Sequence, residues 1–238
     1  MTRYKWLLFD ADNTLFDFDA AQDFSLTRTL DHYGMEPTAE RKARFKAIND
    51  ALWTAFDRGE ISQDALVVER FRQFLAQEGA EGDPAAWNDF CLRRLAESPT
   101  LLPGAEKLCF KLSQRYILAL VTNGLAFVQR QRLKASPLAR LFGDRVYISG
   151  EMGCHKPEKV FFQKVLADLG AERQAGQALV IGDSLSSDIR GAFNARLDSL
   201  WFDRSGRGEG LPRPTYRAAS FADMERILIP TPFAGPDL

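Results

Sequence analysis

Four short polar clusters hold the residue types that could do chemistry, and each follows an apolar run. Asp10-Ala11-Asp12-Asn13-Thr14 follows Trp6-Leu7-Leu8-Phe9 and supplies two carboxylates two residues apart. Thr122-Asn123-Gly124 follows Tyr116 to Val121, and a hydroxyl with free backbone N–H groups ahead of a helix is a ready anion site. Lys156-Pro157, after the run Arg145 to Ile148 and before a helical pattern, supplies a compact ammonium. Gly182-Asp183-Ser184 follows Leu179 to Ile181, with Asp188 five residues beyond Asp183. Each fragment alone has an ordinary account: Asp12 as a turn cap, Thr122 as a helix cap, Lys156 as a surface charge, Asp188 as a helix-start acid. Two acids, a hydroxyl, a lysine and a further acid pair, in that order at successive strand ends, are harder to obtain by accident.

The elements that must position these groups can be read from the apolar spacing. Trp6 to Phe9 is too short for a stable helix and ends in acidic and turn-forming residues, so it reads as a buried strand of a parallel sheet. Residues at the carboxyl ends of such strands face the crevice in which open α/β sheets bind ligands. From about Ala20 to Glu97 there is no strand-like run, only helical periodicity. The pieces are Ala20 to Tyr33, Thr38 to Asp57, Ser62 to Glu78 and Pro84 to Leu95, with Gly34, Gly59 and Gly79 at the expected stops. Leu26, Leu30 and Tyr33, like Phe45, Ile48, Leu52 and Phe56, mark one apolar face per helix.

From Pro103 helices and strands alternate. The pattern predicts helices at Gly104 to Ser113, Ala126 to Lys134, Glu158 to Leu169, Ser186 to Ala195 and Phe221 to Leu228, with strands at Tyr116 to Val121, Arg145 to Ile148, Leu179 to Ile181 and Ser199 to Phe202. Alternation of this length predicts an α/β fold with a doubly wound parallel sheet, Rossmann-like, and a helical cap inserted after the first strand. The expected division is a catalytic core over 1–16 and 100–229, a helical cap over 17–99 and a loose Pro- and Gly-rich tail over 230–238.

Composition narrows the partners. With 31 Lys and Arg against 32 Asp and Glu, the net charge is −1, which implies no broad basic surface for polymeric nucleic acid and favours a small-molecule ligand. Three well-separated cysteines, Cys91, Cys109 and Cys154, argue against a disulfide framework and for a reducing compartment. The amino-terminal apolar run is far shorter than a signal peptide core or a membrane span, so a cytoplasmic protein away from the membrane is expected. Other candidates fare worse as sites. His155 beside Cys154 has no second Cys or His nearby and makes no zinc site. The stretch from Gly206 to Gly210 leads into Leu211-Pro212 rather than a helix and reads as a loop, and the charged run Glu40 to Lys46 reads as a solvated helix face.

Taken together, the four clusters resemble the haloacid dehalogenase superfamily, whose phosphatases carry Asp-x-Asp-x-Thr, then a Ser or Thr, then a Lys, then Gly-Asp with a further Asp. The likeness runs from about Tyr4 to Leu228. More narrowly, Ile48-Asn49-Asp50-Ala51-Leu52-Trp53, Thr122-Asn123-Gly124 with Gln131-Arg132-Leu133, and Gly182-Asp183-Ser184-Leu185-Ser186-Ser187-Asp188 are similar to the noncanonical pyrimidine nucleotidases of bacteria. That resemblance implies hydrolysis of a phosphate monoester, a nucleoside monophosphate with a pyrimidine base. It implies Asp10 as nucleophile, Asp12 as acid and base, and Thr122, Asn123 and Lys156 as phosphate-binding groups. Mg²⁺, for which Mn²⁺ could substitute, would be held by Asp10, Asp183 and the backbone carbonyl of Asp12, with Asp188 orienting the shell or touching the ion. Phe16, Phe24, Trp53 and Phe56 are the aromatic candidates for the substrate, although their spacing fits packing as well.

Several relatives share these core residues. A dehalogenase is disfavoured by the presence of Asp12, and a phosphonate-cleaving enzyme by the lack of a cap lysine outside the charged run. A sugar-phosphate phosphatase or phosphomutase stays open, because the cap must decide. A binding module that had lost turnover would not need Asp10, Asp12, Thr122, Lys156 and Asp183 all intact.

Overall fold

The structure, a computed structural model, describes residues 3–206, 208 and 211–229. The chain runs from β1 (Trp6–Phe9) into four helices, α1 (Phe18–His32), α2 (Ala39–Asp57), α3 (Gln63–Glu78) and α4 (Pro84–Ala96). It continues through α5 (Ala105–Ser113), β2 (Ile117–Thr122), α6 (Ala126–Ala135), α7 (Ala139–Phe142), β3 (Val146–Ile148), α8 (Ser149–Met152) and α9 (Lys159–Asp168). It ends with β4 (Ala178–Gly182), α10 (Arg190–Ala195), β5 (Asp198–Phe202), β6 (Tyr216–Ala218) and α11 (Phe221–Leu228). No helix among the described residues is long and apolar enough to cross a membrane.

The six strands form one sheet in the order β3-β2-β1-β4-β5-β6, and all five pairings are parallel. β1 is central, and every residue of β1 and β4 is buried, as strands covered on both faces require. Successive side chains alternate between the faces. Leu7, Phe9, Leu118 and Leu120 pack on one side with Leu108, Phe142 and Met224 from α5, α7 and α11. Trp6, Leu8, Ala119 and Val121 pack on the other with Phe161, Phe162 and Val165 from α9.

The inserted helices have an apolar cluster of their own, which includes Leu26, Leu30, Phe45, Leu52, Phe71 and Phe74. Their ends are set by the sequence. Thr38 and Ser62 accept backbone N–H groups at the starts of α2 and α3, Pro84 opens α4 after the Asp83 cap, and α3 stops where Gly79 turns left-handed at φ +61°. The two chain segments that join the insertion to the sheet are tied together. Asp17 N donates to Thr100 O at 3.0 Å, Leu102 N to Leu15 O at 2.9 Å, and Phe16 and Leu101 form an antiparallel bridge.

The observed elements depart from the expected ones in a few places. β6 has three residues and only Ala218 is buried, too short and too exposed for a periodic signal. The helix expected over Ser186 to Ala195 is a π-type turn, Leu185–Ile189, followed by α10. The tail expected over 230–238, and residues 207, 209 and 210 of the glycine-rich loop, lie outside the described residues.

Candidate active site

The register of the sheet brings the strand ends to one edge. Phe9 pairs with Leu120 on one side and with Ile181 on the other, so Asp10 falls level with Val121 and Gly182, next to Thr122 and Asp183. Asp10 N donates to Ile181 O at 2.8 Å, which fixes the nucleophile candidate to the end of the neighbouring strand. The turn that follows is closed by Leu15 N and Phe16 N on Ala11 O, each at 2.9 Å, with Asn13 left-handed at φ +57°.

Lys156 is 1% exposed and its ammonium uses all three protons: on Asp10 Oδ1 at 2.6 Å, Asp188 Oδ1 at 2.6 Å and the Val121 carbonyl at 2.9 Å. Carboxylate oxygens of Asp10, Asp183 and Asp188 lie within 4.8 Å of one another, a set of hard oxygen donors that could hold a divalent ion. One ammonium cannot balance three carboxylates. Burial pushes the Asp10 carboxyl well above its ordinary range, with Asp188 and Asp183 adding to the rise and Lys156 opposing it. Burial pulls the other way on Lys156, yet Asp10 and Asp188 outweigh it and hold the ammonium above its usual value. Asp188 is fully buried, its Oδ2 accepting from Ser184 N at 3.1 Å. Gly182 makes that approach possible, since a Cβ there would come within 2.1 Å of Asp188 Oδ2.

Thr122 Oγ1 accepts from Gly124 N at 3.0 Å, so its own proton is left to donate. Asn123 uses its side chain on Lys156: Oδ1 accepts from the Lys156 N–H at 2.9 Å and Nδ2 donates to the Lys156 carbonyl at 2.7 Å. This amide positions the lysine, which leaves only the Asn123 backbone for an anion.

Asp12 is not in the carboxylate cluster. Arg132 Nη1 donates to its Oδ1 and Gln129 Nε2 to its Oδ2, both at 2.5 Å, and Arg132 Nε is anchored on the Ser98 carbonyl at 3.0 Å. Arg132 and Gln129, both buried, are functional candidates to which the sequence assigned no role, Arg132 standing only within the Gln131-Arg132-Leu133 likeness. The available signal was their position, a charged and an amide residue in the apolar phase of α6 beside Val128 and Leu133. Gly124 leaves room for this side chain, since a Cβ there would come within 2.0 Å of Gln129 Nε2.

A cavity of about 310 Å³ lies over these groups. Its other wall is one face of α2, the residues Lys46, Asn49, Asp50, Trp53, Thr54 and Asp57 at three- and four-residue spacing, with Arg70 of α3 and Leu92 and Leu95 of α4. Phe16 is a correction. It is fully buried in the sheet core under the Arg132 guanidinium, 4.7 Å from its ring, and does not line the cavity. Phe24 and Phe56 do not line it either, whereas Trp53 does. Lys46 borders the cavity as well, so the charged run Glu40 to Lys46 is not wholly a solvated face. Among the contacts that bridge the insertion and the sheet edge are Gln63 Nε2 to the Asn123 carbonyl at 2.7 Å, Ser186 Oγ to Asp57 Oδ2 at 2.5 Å, and the rings of Phe56 and His155 at 4.3 Å.

A parallel six-stranded sheet, a helical insertion after its first strand and acidic strand ends sharing one buried lysine define a hydrolase of the haloacid dehalogenase type. Residues 4–196 match the haloacid dehalogenase-like hydrolase family, and the chain belongs to it. Three bacterial relatives span nearly the whole chain. HAD-hydrolase YfnB of Bacillus subtilis is 36% identical over 230 residues, covering 96% of this chain and 97% of its own. Its magnesium-bound crystal structure superposes with a TM-score of 0.89 over 95% of this chain and 99% of that one, at 35% identity. Pyrimidine 5′-nucleotidase PynA of Streptococcus pneumoniae is 35% identical over 226 residues, 93% of each chain. Pyrimidine 5′-nucleotidase YjjG of Escherichia coli is 32% identical over 228 residues, 95% of this chain and 98% of its own.

Proposed function

We propose that the chain is a Mg²⁺-dependent phosphomonoesterase that hydrolyses pyrimidine nucleoside 5′-monophosphates. The observation that carries the reading is the buried contact of Lys156 with Asp10 and Asp188 beside Asp183, facing the polar stripe of α2 across one cavity. The substrate class follows the names of PynA and YjjG. In this reading residues 1–16 and 100–229 are the catalytic core and residues 17–99 a cap. The interdomain movement described for magnesium-bound YfnB supports a mobile cap. The buried, unpaired cysteines Cys91, Cys109 and Cys154 support a reducing, cytoplasmic setting.

Asp10, Asp183 and the Asp12 backbone carbonyl would hold Mg²⁺, with Asp188 orienting the shell. When bound, the ion supplies the positive charge that offsets repulsion between a carboxylate nucleophile and a phosphate. Asp10 Oδ1 faces Lys156, so Oδ2 is the oxygen that attacks phosphorus. The bond from phosphorus to the nucleoside O5′ breaks as Asp12 gives its proton to O5′. Asp12 then takes a proton from water, whose oxygen attacks the aspartyl-phosphate and frees phosphate and Asp10. Thr122 holds a phosphoryl oxygen while charge moves, and Lys156 does the same by giving up one of its three contacts with Asp10, Asp188 and the Val121 carbonyl. In this reading the Asp12 side chain turns from Arg132 and Gln129, which hold both of its oxygens, to reach O5′.

The test is phosphate release from a panel of nucleoside monophosphates and sugar phosphates, with Mg²⁺ and with EDTA. Preference for UMP, dUMP or dTMP, lost with EDTA, is the expected result. Sugar-directed activity would discard the substrate and keep the mechanism, and no release from any of them would discard both.

A further inference from the structure

The cap wall of the cavity contains a buried cation that has no carboxylate partner among the described residues. Arg70 is 4% exposed and lines the cavity. Its Nη1 donates to Asn49 Oδ1 at 3.1 Å and its Nη2 to Asn88 Oδ1 at 2.7 Å. The guanidinium lies 5.7 Å from the Phe45 ring centre and 5.6 Å from that of Phe71. Its Nε–H is buried and unsatisfied. A buried charge without a counter-charge, carrying an orphaned donor as well, is costly to keep. Packing alone would be served better by an apolar residue, so this one calls for an acceptor brought by a ligand.

Arg70 also decides what its neighbour presents. Asn49 is 1% exposed and lines the cavity, and because its Oδ1 is taken by Arg70, the amide is oriented with Nδ2 as the group left over. Nδ2 has no partner among the described residues. Both open groups are therefore donors, set in a wall that also carries Trp53, Leu92 and Leu95. Donors in an apolar wall suit carbonyl oxygens on a flat ring. A carboxylate or second phosphate would want two parallel guanidinium N–H groups, and one N–H of each Nη is already on an amide oxygen, so a charged ligand is the competing occupant that the experiment below tests.

We propose that Asn49 and Arg70 form the base-reading subsite of the cavity: Asn49 Nδ2 and Arg70 Nε donate to ring carbonyl oxygens of a pyrimidine whose face lies against Trp53. The inference rests on the nucleotidase reading and names the residues that carry its selectivity. The contact is to the base and not to the phosphoryl group, so it governs which monoester is chosen.

The experiment compares kcat/KM for UMP with kcat/KM for ribose 5-phosphate, which has no base, in the wild type, Asn49→Asp and Arg70→Lys. Asn49→Asp keeps the oxygen that Arg70 Nη1 uses and removes the donor, and Arg70→Lys keeps a cation and removes Nε. The UMP to ribose 5-phosphate ratio is expected to fall about tenfold in each, the scale of one lost hydrogen bond to a buried group. Turnover of ribose 5-phosphate shows in the same assay that the variant is folded. The wild type adds an arm that needs no variant: the monophosphate of a pyrimidin-2-one riboside, lacking the 4-oxygen, should be a poorer substrate than UMP by a similar factor. A wild type that prefers UMP, with ratios unmoved in the variants and no loss on the 4-deoxygenated analogue, overturns the subsite and leaves the nucleotidase standing. A wild type indifferent between UMP and ribose 5-phosphate overturns both. Preference for a carboxylate-bearing monoester such as phosphoglycolate, lost in Arg70→Lys, would mean that the wall reads charge and would overturn the proposal.

Discussion

Asp10 and Asp12 differ in surroundings more than in type, and that difference makes their roles separable. Asp10 is enclosed with Lys156, so Asp10→Asn removes the attacking charge while Lys156 keeps Asp188 and the Val121 carbonyl. Turnover should fall by at least about a thousandfold, with a far-ultraviolet circular dichroism spectrum like that of the wild type. Asp12→Asn tests a different step. Hydrolysis of a nucleotide should drop by about 10²–10⁴, whereas p-nitrophenyl phosphate, whose leaving group needs little protonation, should lose far less. An equal loss on both substrates would remove the acid role from Asp12. At this scale the sequence was legible where a polar residue interrupted an apolar run, as at Asp10, Thr122 and Asp183. It marked Arg132 only as part of the Gln131-Arg132-Leu133 likeness, without a role, and did not mark Gln129, because a helix of polar composition hides which of its polar residues point inward. Phe16 misled for the opposite reason: its place just past the Asp10 to Thr14 cluster carried no information about where its ring would lie.

Among the elements, α2 does two jobs with two faces. Phe45, Ile48, Leu52 and Phe56 are buried, and the offset stripe from Lys46 to Asp57 borders the cavity. The apolar face was legible as periodicity. The polar stripe was not, because polar residues at helical spacing look the same whether they face solvent or a ligand. Asp57 at the end of α2 meets Ser186 across the gap to the core. Burial raises its pKa above the ordinary carboxylate value, and the hydrogen bond from Ser186 opposes the rise without cancelling it. The folded chain therefore takes up the proton before the unfolded chain does as pH falls, and the ionised side chain costs stability at neutral pH. Asp57→Asn, which keeps an acceptor for Ser186, should raise Tm at pH 7 by roughly 2 °C. The gain should disappear below about pH 4, where the carboxyl is protonated in both states. A gain that persisted at pH 3 would show that charge was not its cause.

The whole molecule has its apolar contacts divided between the two faces of the sheet and the inserted helices, with Ala21, Leu95, Ala96 and Val128 forming only a small cluster at the junction. Two chain segments, the α4–α6 contact around Leu95 and Val128, and a few polar and ring contacts join the parts, an arrangement for which relative motion is the default expectation. The carboxylates that could hold Mg²⁺ all belong to the sheet edge, and the fully buried Phe71 belongs to the insertion. The two parts should therefore respond to different perturbations. Mg²⁺ at about a hundred times its Kd should stabilise the part that binds it by about 2.7 kcal/mol. Phe71→Ala should cost the other part about 3–5 kcal/mol through the cavity it leaves. In a calorimetric scan the ion should move one transition upward and the substitution should move another downward, with the Mg²⁺ shift preserved in Phe71→Ala. If both perturbations act on a single transition, the junction couples the parts more tightly than its contacts suggest. A cap that cannot loosen without unfolding the core would then have no independent motion.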